Sequence, residues 1–272
     1  MNVALTIAGS DSGGGAGIQA DIKAMQANGV FAASVLTAVT AQNTQAVTAA
    51  YELPLDLIEA QLDAVLDDLP VAATKTGMLS SSAIIETVAR KVEERGIEPL
   101  VVDPVMISKS GYPLLQAESV ETLKTRLLPR ATLVTPNVHE AAHLTGLTIQ
   151  TLDDAREAAQ RIQALGAQAV LVKGGHLDGE SEAVDVLYDG QRFHTYRAPR
   201  IDTPHTHGTG CTYAAAIAAN LARGYPLRGA VARAKRYVTE AIRHGLAIGQ
   251  GHGPTHHFYF LQGLGIFPVE DE

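Results

Sequence analysis

The chain of 272 residues holds one cysteine, Cys211. That excludes an internal disulfide and fits a reducing, cytoplasmic setting. Basic charge is scarce: 21 Lys and Arg stand against 29 Asp and Glu, a formal charge of −8. No basic cluster is evident, which argues against non-specific nucleic-acid binding. No apolar run approaches the ~18 residues of a membrane span, so no membrane partner is expected. The N-terminus, from Met1 to Ala8, lacks a positive lead-in and carries only a short apolar stretch. It reads as a first strand, not a signal peptide. No Gly-Lys dipeptide occurs, which excludes a Walker A loop. Repeats, linkers and low-complexity stretches are absent too. The expected organisation is one continuous domain over 1–259 with a tail over 260–272.

What is present is an alternation of short β-type runs and helical patterns. The runs are Val3–Ala8, Ser34–Val39, Ala72–Thr76, Leu100–Val102, Thr132–Val134 and Ala169–Lys173. A glycine-rich loop, Gly9–Gly17, opens a helix with Ile18, Ile22 and Met25 at helical spacing. Leu55, Ile58, Leu62, Val65, Leu66 and Leu69 make one apolar stripe. Further helices are expected over Ser82–Glu94, Thr212–Arg223 and Leu227–Arg243. Strands separated by helices predict a parallel sheet covered on both faces, an α/β fold. One antiparallel exception is expected, a hairpin of Val184–Tyr188 and Arg192–Tyr196 turned by Asp189-Gly190. The longest loop without a clear pattern runs over 104–115.

In such a sheet ligands bind beyond the C-terminal strand ends. Those ends read Gly9-Ser10-Asp11, Thr40-Ala41-Gln42-Asn43, Thr76-Gly77-Met78, Asp103-Pro104-Val105, Thr135-Pro136-Asn137 and Lys173-Gly174-Gly175-His176. They are rich in small, polar and charged residues, which packing alone does not explain. Near the other end of the chain, His207-Gly208-Thr209-Gly210-Cys211-Thr212 precedes an Ala-rich helix. Free backbone N–H groups and the helix dipole make such a start an anion site, and it holds the only cysteine. Gly13-Gly14-Gly15-Ala16-Gly17 lacks the third glycine of a dinucleotide loop, because position 18 is isoleucine. Two glycine-rich helix starts could divide the work, one for a substrate and one for nucleotide phosphates.

Phosphoryl transfer needs a divalent cation and compensating charge. Asp103 and Glu140 are the natural carboxylates, since Mg²⁺ favours one or two carboxylates with water and phosphate oxygens. Lys173 could neutralise a transferring phosphate. Each has a plainer role open to it: Asp103 in a turn, Glu140 at a helix start, Lys173 as a solvated strand end. Cys211 paired with His205 or His207 as a hydrolase nucleophile also stays open, as does a binding protein without catalysis. His252, His256 and His257 read as a polar tail, not a metal site.

Motifs in order then carry a resemblance. They are Leu5 to Asp21, Ala41-Gln42-Asn43-Thr44, Lys75-Thr76-Gly77-Met78, Val102-Asp103-Pro104-Val105-Met106, Thr135-Pro136-Asn137, Lys173-Gly174-Gly175-His176 and Thr206-His207-Gly208-Thr209-Gly210-Cys211. Together they resemble the hydroxymethylpyrimidine/phosphomethylpyrimidine kinases of the ribokinase superfamily, from the first strand to His256-His257-Phe258. The resemblance implies a three-layer α/β/α fold, a mostly parallel sheet with a small antiparallel hairpin, and a homodimer. It implies two ATP- and Mg²⁺-dependent phosphorylations of 4-amino-5-hydroxymethyl-2-methylpyrimidine in thiamine biosynthesis. By motif, Gln42 would hydrogen-bond the aminopyrimidine, with Gly9, Asp21, Met78 and Val105 lining its pocket. Asn137, Glu140 and Thr209 would serve the nucleotide, and Asp103 and Glu140 the metal. Lys173, Gly208, Gly210 and Cys211 would form the catalytic phosphate site. Many sugar kinases of the superfamily carry an aspartate where Cys211 stands. A thiol there leaves the site open to an acceptor that is already a phosphate. Pyridoxal kinase activity is the nearest alternative. The subgroup with that activity uses a further cysteine in its lid loop, and Met106-Ile107-Ser108-Lys109-Ser110 has none.

Overall fold

Val3, Leu5 and Ile7 face one apolar layer while Ala4, between them, faces the other. That period of two sets the architecture: a sheet buried on both sides. The computed structural model describes residues 1–108, 111–175 and 182–264. In chain order its elements are β1 (Val3–Asp11), α1 (Gly17–Ala27), β2 (Phe31–Gln42), β3 (Val47–Glu52), α2 (Leu55–Asp68), β4 (Val71–Thr76), α3 (Ser82–Arg95), β5 (Leu100–Val102) and the short α4 (Ser119–Thr122). Then come β6 (Leu133–Val134), α5 (Val138–Thr145), α6 (Leu152–Gln163), β7 (Val170–Gly174), β8 (Glu182–Tyr188), β9 (Phe193–Pro199), α7 (Thr209–Ala222) and α8 (Leu227–Arg243).

The strands form one nine-stranded sheet in the order β3-β2-β1-β4-β5-β6-β7-β8-β9. From β2 to β7 every neighbour is parallel, while β3, β8 and β9 are antiparallel additions. Helices α2 to α6 pack on one face, through Ile58, Ile85, Val120, Ala141 and Ala159. On the other face lie α1, α7 and α8. From Ala214 to Ala219 α7 is fully buried. Its alanines let its backbone approach β4, β5 and β1 closely. The chain order reverses between β1 and β4, so the crevice at a topological switch point opens above these two strands.

The expected α/β fold with its hairpin is present, and several boundaries move. β1 does not stop at Ala8: after an irregularity at Gly9 it continues to Asp11, because Ser10 and Asp11 pair with Val39 and Thr40 of a longer β2. β3 had no signal, since only Val47 of its six residues is buried and an exposed edge strand shows no alternation. Of the α2 stripe only Ile58 and Leu62 are fully buried, and Leu55 lies exposed in the first turn. α7 begins at Thr209, three residues before the expected start, so Cys211 lies inside its first turn. Tyr259–Leu264 forms a short 3-10 turn across the expected boundary between domain and tail. Among the described residues no helix is long and apolar enough to cross a membrane.

Candidate active site

The start of α7 is a built anion site. Gly208 caps the helix in the left-handed region (φ 78°), and no side chain caps the N–H groups behind it. A Cβ on Gly208 would lie 1.7 Å from the Gly15 carbonyl oxygen, so only glycine fits there. Thr209 turns inward: its N–H and its hydroxyl both donate to the Thr206 carbonyl, at 3.2 and 2.7 Å. That leaves the N–H groups of Gly210 and Cys211 as the natural donors, while Thr209, expected to serve the nucleotide, has both of its donors directed to the Thr206 carbonyl.

Around these N–H groups stand two buried ion pairs. Lys173 Nζ donates to Asp103 Oδ1 at 2.8 Å, and Thr135 Oγ1 donates to the same oxygen at 3.0 Å. A Cβ on Gly210 would lie 3.4 Å from Lys173 Nζ and 3.7 Å from Asp103 Oδ2, so this glycine keeps the ammonium next to the helix start. Burial opposes the charge on Lys173, but Asp103 and Glu140 outweigh it and hold its pKa above the usual lysine value. Deeper, Lys75 Nζ donates to Asp21 Oδ2 at 2.8 Å, as does Thr6 Oγ1 at 2.6 Å, all three residues being fully buried. Burial raises the Asp21 carboxyl against the pull of Lys75. Asp21, expected to line the substrate pocket, is thus fully covered, with Oδ1 buried and without a hydrogen-bond partner.

Cys211 sits between the pairs. Burial, with Asp21 and Asp103 nearby, pushes its thiol up to about 11, against the opposing effects of Lys75 and the Gly17 N–H. It is a neutral thiol at physiological pH. His207 is engaged elsewhere, its Nε2 2.8 Å from Asp11 Oδ2. A hydrolase needs a thiolate–imidazole pair, and this geometry removes His207 as the imidazole.

The first glycine loop proves to be filled from within. The Asp11 carboxylate accepts from the N–H groups of Gly13 (2.8 Å), Gly15 (3.1 Å) and Ala16 (2.8 Å). Burial works against its ionisation, yet His207 and these N–H groups hold its pKa below the usual carboxylate value. The loop is therefore not a second phosphate site but a brace, packed through Gly15 against His207 and Gly208.

Gln42 ends β2 beside this brace, its backbone held by Ser12 Oγ at 2.7 and 2.8 Å and its side chain half-buried. Gly9 lies under Met78, whose Sδ would be 2.9 Å from a Cβ there. Val105 is half-buried beside a small cavity lined also by Gly77, Pro104 and Leu115. Asn137 and Glu140 cap α5 reciprocally: Asn137 Oδ1 accepts from the Glu140 N–H (2.9 Å) and Glu140 Oε2 from the Asn137 N–H (2.7 Å). Burial raises Glu140 to about 7, helped by Asp103 and opposed by Lys173 and the N–H groups of Asn137 and Met106. Both the plain capping role and a place beside the charge cluster are thus real. His176 and Lys109-Ser110 lie outside the described residues.

The phosphomethylpyrimidine kinase family model matches residues 11–256. The chain belongs to that family. It is 52% identical to the hydroxymethylpyrimidine/phosphomethylpyrimidine kinase of Bacillus subtilis, over 94% of this chain and 95% of that one. Phosphomethylpyrimidine kinase of Clostridium difficile superimposes with a TM-score of 0.80 at 46% identity, covering 89% of this chain and all of that one. An ADP complex of Bacillus subtilis pyridoxal kinase superimposes with a TM-score of 0.90 at 42% identity, over 96% and 99% of the two chains. The ribokinase-like fold is shared by both activities, so within this family the pocket must decide the acceptor.

For Mg²⁺ the residues present fit modestly. No cluster of three ligating side chains occurs among the described residues. Asp103 Oδ2 faces the α7 start, and Glu140, half-protonated near pH 7 when alone, would ionise beside a cation. That suits an ion held chiefly by phosphate oxygens and water. Lys75, Asp11 and Thr40 stand in segments picked out from the sequence, but none was given a role of its own. A lysine inside an otherwise uncharged strand was the available signal for Lys75.

Proposed function

We propose that this protein is an ATP-dependent kinase that phosphorylates 4-amino-5-hydroxymethyl-2-methylpyrimidine, and then its monophosphate, for thiamine biosynthesis. The observation that carries the reading is the uncapped start of α7, set between Lys173–Asp103 and Lys75–Asp21 around a neutral thiol. Each ion pair is internally neutral, so the helix dipole and the N–H groups of Gly210 and Cys211 dominate the local field. Negative charge developing on a transferring phosphoryl group is stabilised there.

Gln42 reads the aminopyrimidine edge, while Met78 over Gly9 and Val105 hold the ring so that its hydroxymethyl oxygen meets the α7 start. That oxygen attacks the γ-phosphorus of ATP, the bond to the β–γ bridging oxygen breaks so that ADP departs, and the hydroxyl proton passes to an oxygen of the transferred phosphoryl group and from there to water. In a loose transition state little base assistance is needed, which suits a thiol that stays protonated. Lys173 lies beside the migrating group and Asn137 near the nucleotide. Mg²⁺, when bound, neutralises phosphate oxygens, and Asp103 and Glu140 are the residues that would hold it. In the second step the acceptor is itself a phosphate, largely anionic because its second pKa is about 6, and the thiol does not repel it.

The proposal extends to a cytoplasmic homodimer. Val39 and Tyr51, paired across β2 and β3 and 43% and 71% exposed, offer an apolar edge for a second copy. The test of the activity is incubation with Mg-ATP and, separately, the pyrimidine, pyridoxal and ribose, with products identified by mass. One phosphate and then a second on the pyrimidine alone is the expected result. Preferential transfer to pyridoxal would overturn the assignment of the acceptor.

A further inference from the structure

The Gln42 amide can be turned either way about its last torsion, and its neighbours are not indifferent to which. In the geometry as it stands, Nε2 lies 3.5 Å from His207 Nε2 and Oε1 lies 3.2 Å from Thr40 Oγ1. Proton accounting at both neighbours decides whether those contacts are bonds.

At His207, Nε2 is 2.8 Å from Asp11 Oδ2, and both residues are buried. Asp11 also accepts three backbone N–H groups, so it is an ionised acceptor with no proton to give. The proton between them therefore belongs to His207 Nε2. That nitrogen is a donor and cannot accept from the Gln42 amide. At Thr40, the hydroxyl has one proton, and the Ser10 carbonyl takes it at 2.8 Å. What Thr40 Oγ1 turns towards Gln42 is a lone pair. As it stands the amide therefore sets its N–H beside a nitrogen with no lone pair to offer at one end and oxygen against oxygen at the other.

We propose that Gln42 works with its amide turned, Oε1 towards His207 and Nε2 donating to Thr40 Oγ1, and that two bonds lock it there: Ser10–Thr40 turns a lone pair to Nε2, and Asp11–His207 leaves His207 Nε2 without a lone pair for the opposite orientation. The lock makes the site select a 4-aminopyrimidine over its 4-oxo counterpart. This rests on the reading of Gln42 as the residue that meets the pyrimidine. The hydroxymethyl group must point to the loop that carries His207 and Cys211, so the substituent on the adjacent ring carbon lies on the His207 side. There Oε1 accepts from a 4-amino group, and Nε2 on the Thr40 side donates to the ring nitrogen beyond it. A 4-oxo ring with N–H at that nitrogen presents the reverse order. A free amide would turn to suit it; a locked one meets it with two mismatched pairs. Asp11, His207 and Thr40 are positioning residues in this scheme. They touch no substrate.

The measurement is kcat/KM for 4-amino-5-hydroxymethyl-2-methylpyrimidine and for its 4-oxo analogue, in wild type, Gln42→Ala, Thr40→Val and His207→Leu. Circular dichroism checks that each is folded. A wild-type preference for the amino substrate that falls about tenfold in Thr40→Val, through gain on the oxo analogue as well as loss on the amino one, supports the lock. Thr40→Val is close to isosteric and carries the test if His207→Leu does not fold. Equal losses on both substrates in Thr40→Val and His207→Leu, while Gln42→Ala abolishes the preference, overturn the lock and leave Gln42's role intact. A preference unchanged in Gln42→Ala overturns the proposal together with the reading of Gln42 beneath it.

Discussion

At position 211 the chemistry turns on one charge. Asp21 and Asp103 already disfavour a negative charge there, which is part of why the thiol stays protonated to about pH 11. Cys211→Asp would add a carboxylate facing the acceptor. Against a neutral hydroxymethyl group that is tolerable. Against a phosphate acceptor it is not, since two unit charges 4 Å apart repel by about 4 kcal/mol at an effective dielectric of ~20. Cys211→Asp is expected to lower kcat/KM for the second phosphorylation at least about tenfold more than for the first, measured with each acceptor supplied separately. Equal losses would show that the thiol is not there to admit a phosphate. Legibility follows the same scale. Gly208, Gly210, Cys211, Asp103 and Lys173 could be picked out because strand ends and glycine-rich helix starts obey local rules. Asp11 and His207 could not be paired, since 196 positions separate them and only the topology brings them together. Asp11 also decides what its own loop can do: in a glycine run that the sequence left open to a substrate or to phosphates, three N–H groups are taken by the carboxylate just before it.

Among the elements, β5 and α8 lie where their patterns placed them, because β5 is buried on both faces and α8 along one clear face. β3 escaped notice as an exposed edge. The segment after α8 escaped too, and it does more than its polar composition suggests. The His207 N–H donates to the Gly253 carbonyl at 3.1 Å and the Thr255 N–H to the His207 carbonyl at 3.2 Å, so this segment straps the anion loop. His257 finishes the strap, with Nε2 2.9 Å from Thr212 Oγ1 and its carbonyl accepting from the Tyr237 hydroxyl at 2.8 Å. Burial, with Lys23 and His256 adding to it, lowers His257 to about 4. The unfolded chain therefore takes up this proton first as pH falls. His257's contribution to stability is whole above about pH 6.5 and is lost as pH drops towards 4, by up to about 3 kcal/mol. Denaturant unfolding at pH 7.5 and 4.5 should show a smaller pH-dependent loss in His257→Gln than in wild type. Identical losses would mean that the strap does not hold a neutral imidazole.

For the molecule as a whole, the site joins the two helical layers. The first turn of α7 comes from one layer, the α5 cap with Asn137 and Glu140 from the other, and Lys173 and Lys75 come from strands between them, with Asp103 just past the end of β5. A ligand gripping the crevice should therefore stabilise both layers at once. A ligand at about 100 times its Kd adds about 2.7 kcal/mol to the folded state. At roughly 2 °C per kcal/mol for a chain of this size, the Tm should rise by about 5 °C. The pyrimidine is expected to produce that shift in one cooperative calorimetric transition, and Gln42→Ala to lose it at the same ligand concentration. Two transitions of which only one moves would mean that the layers unfold separately and that the site belongs to one of them. A single transition that moves as a unit would show that the two layers unfold together, with the pairs Lys75–Asp21 and Lys173–Asp103 among the contacts between them. Lys75–Asp21 ties the centre of the sheet to α1, and Lys173–Asp103 joins the ends of β7 and β5 beside the start of α7, so charges that prepare the phosphate site are also among the contacts that hold the layers together.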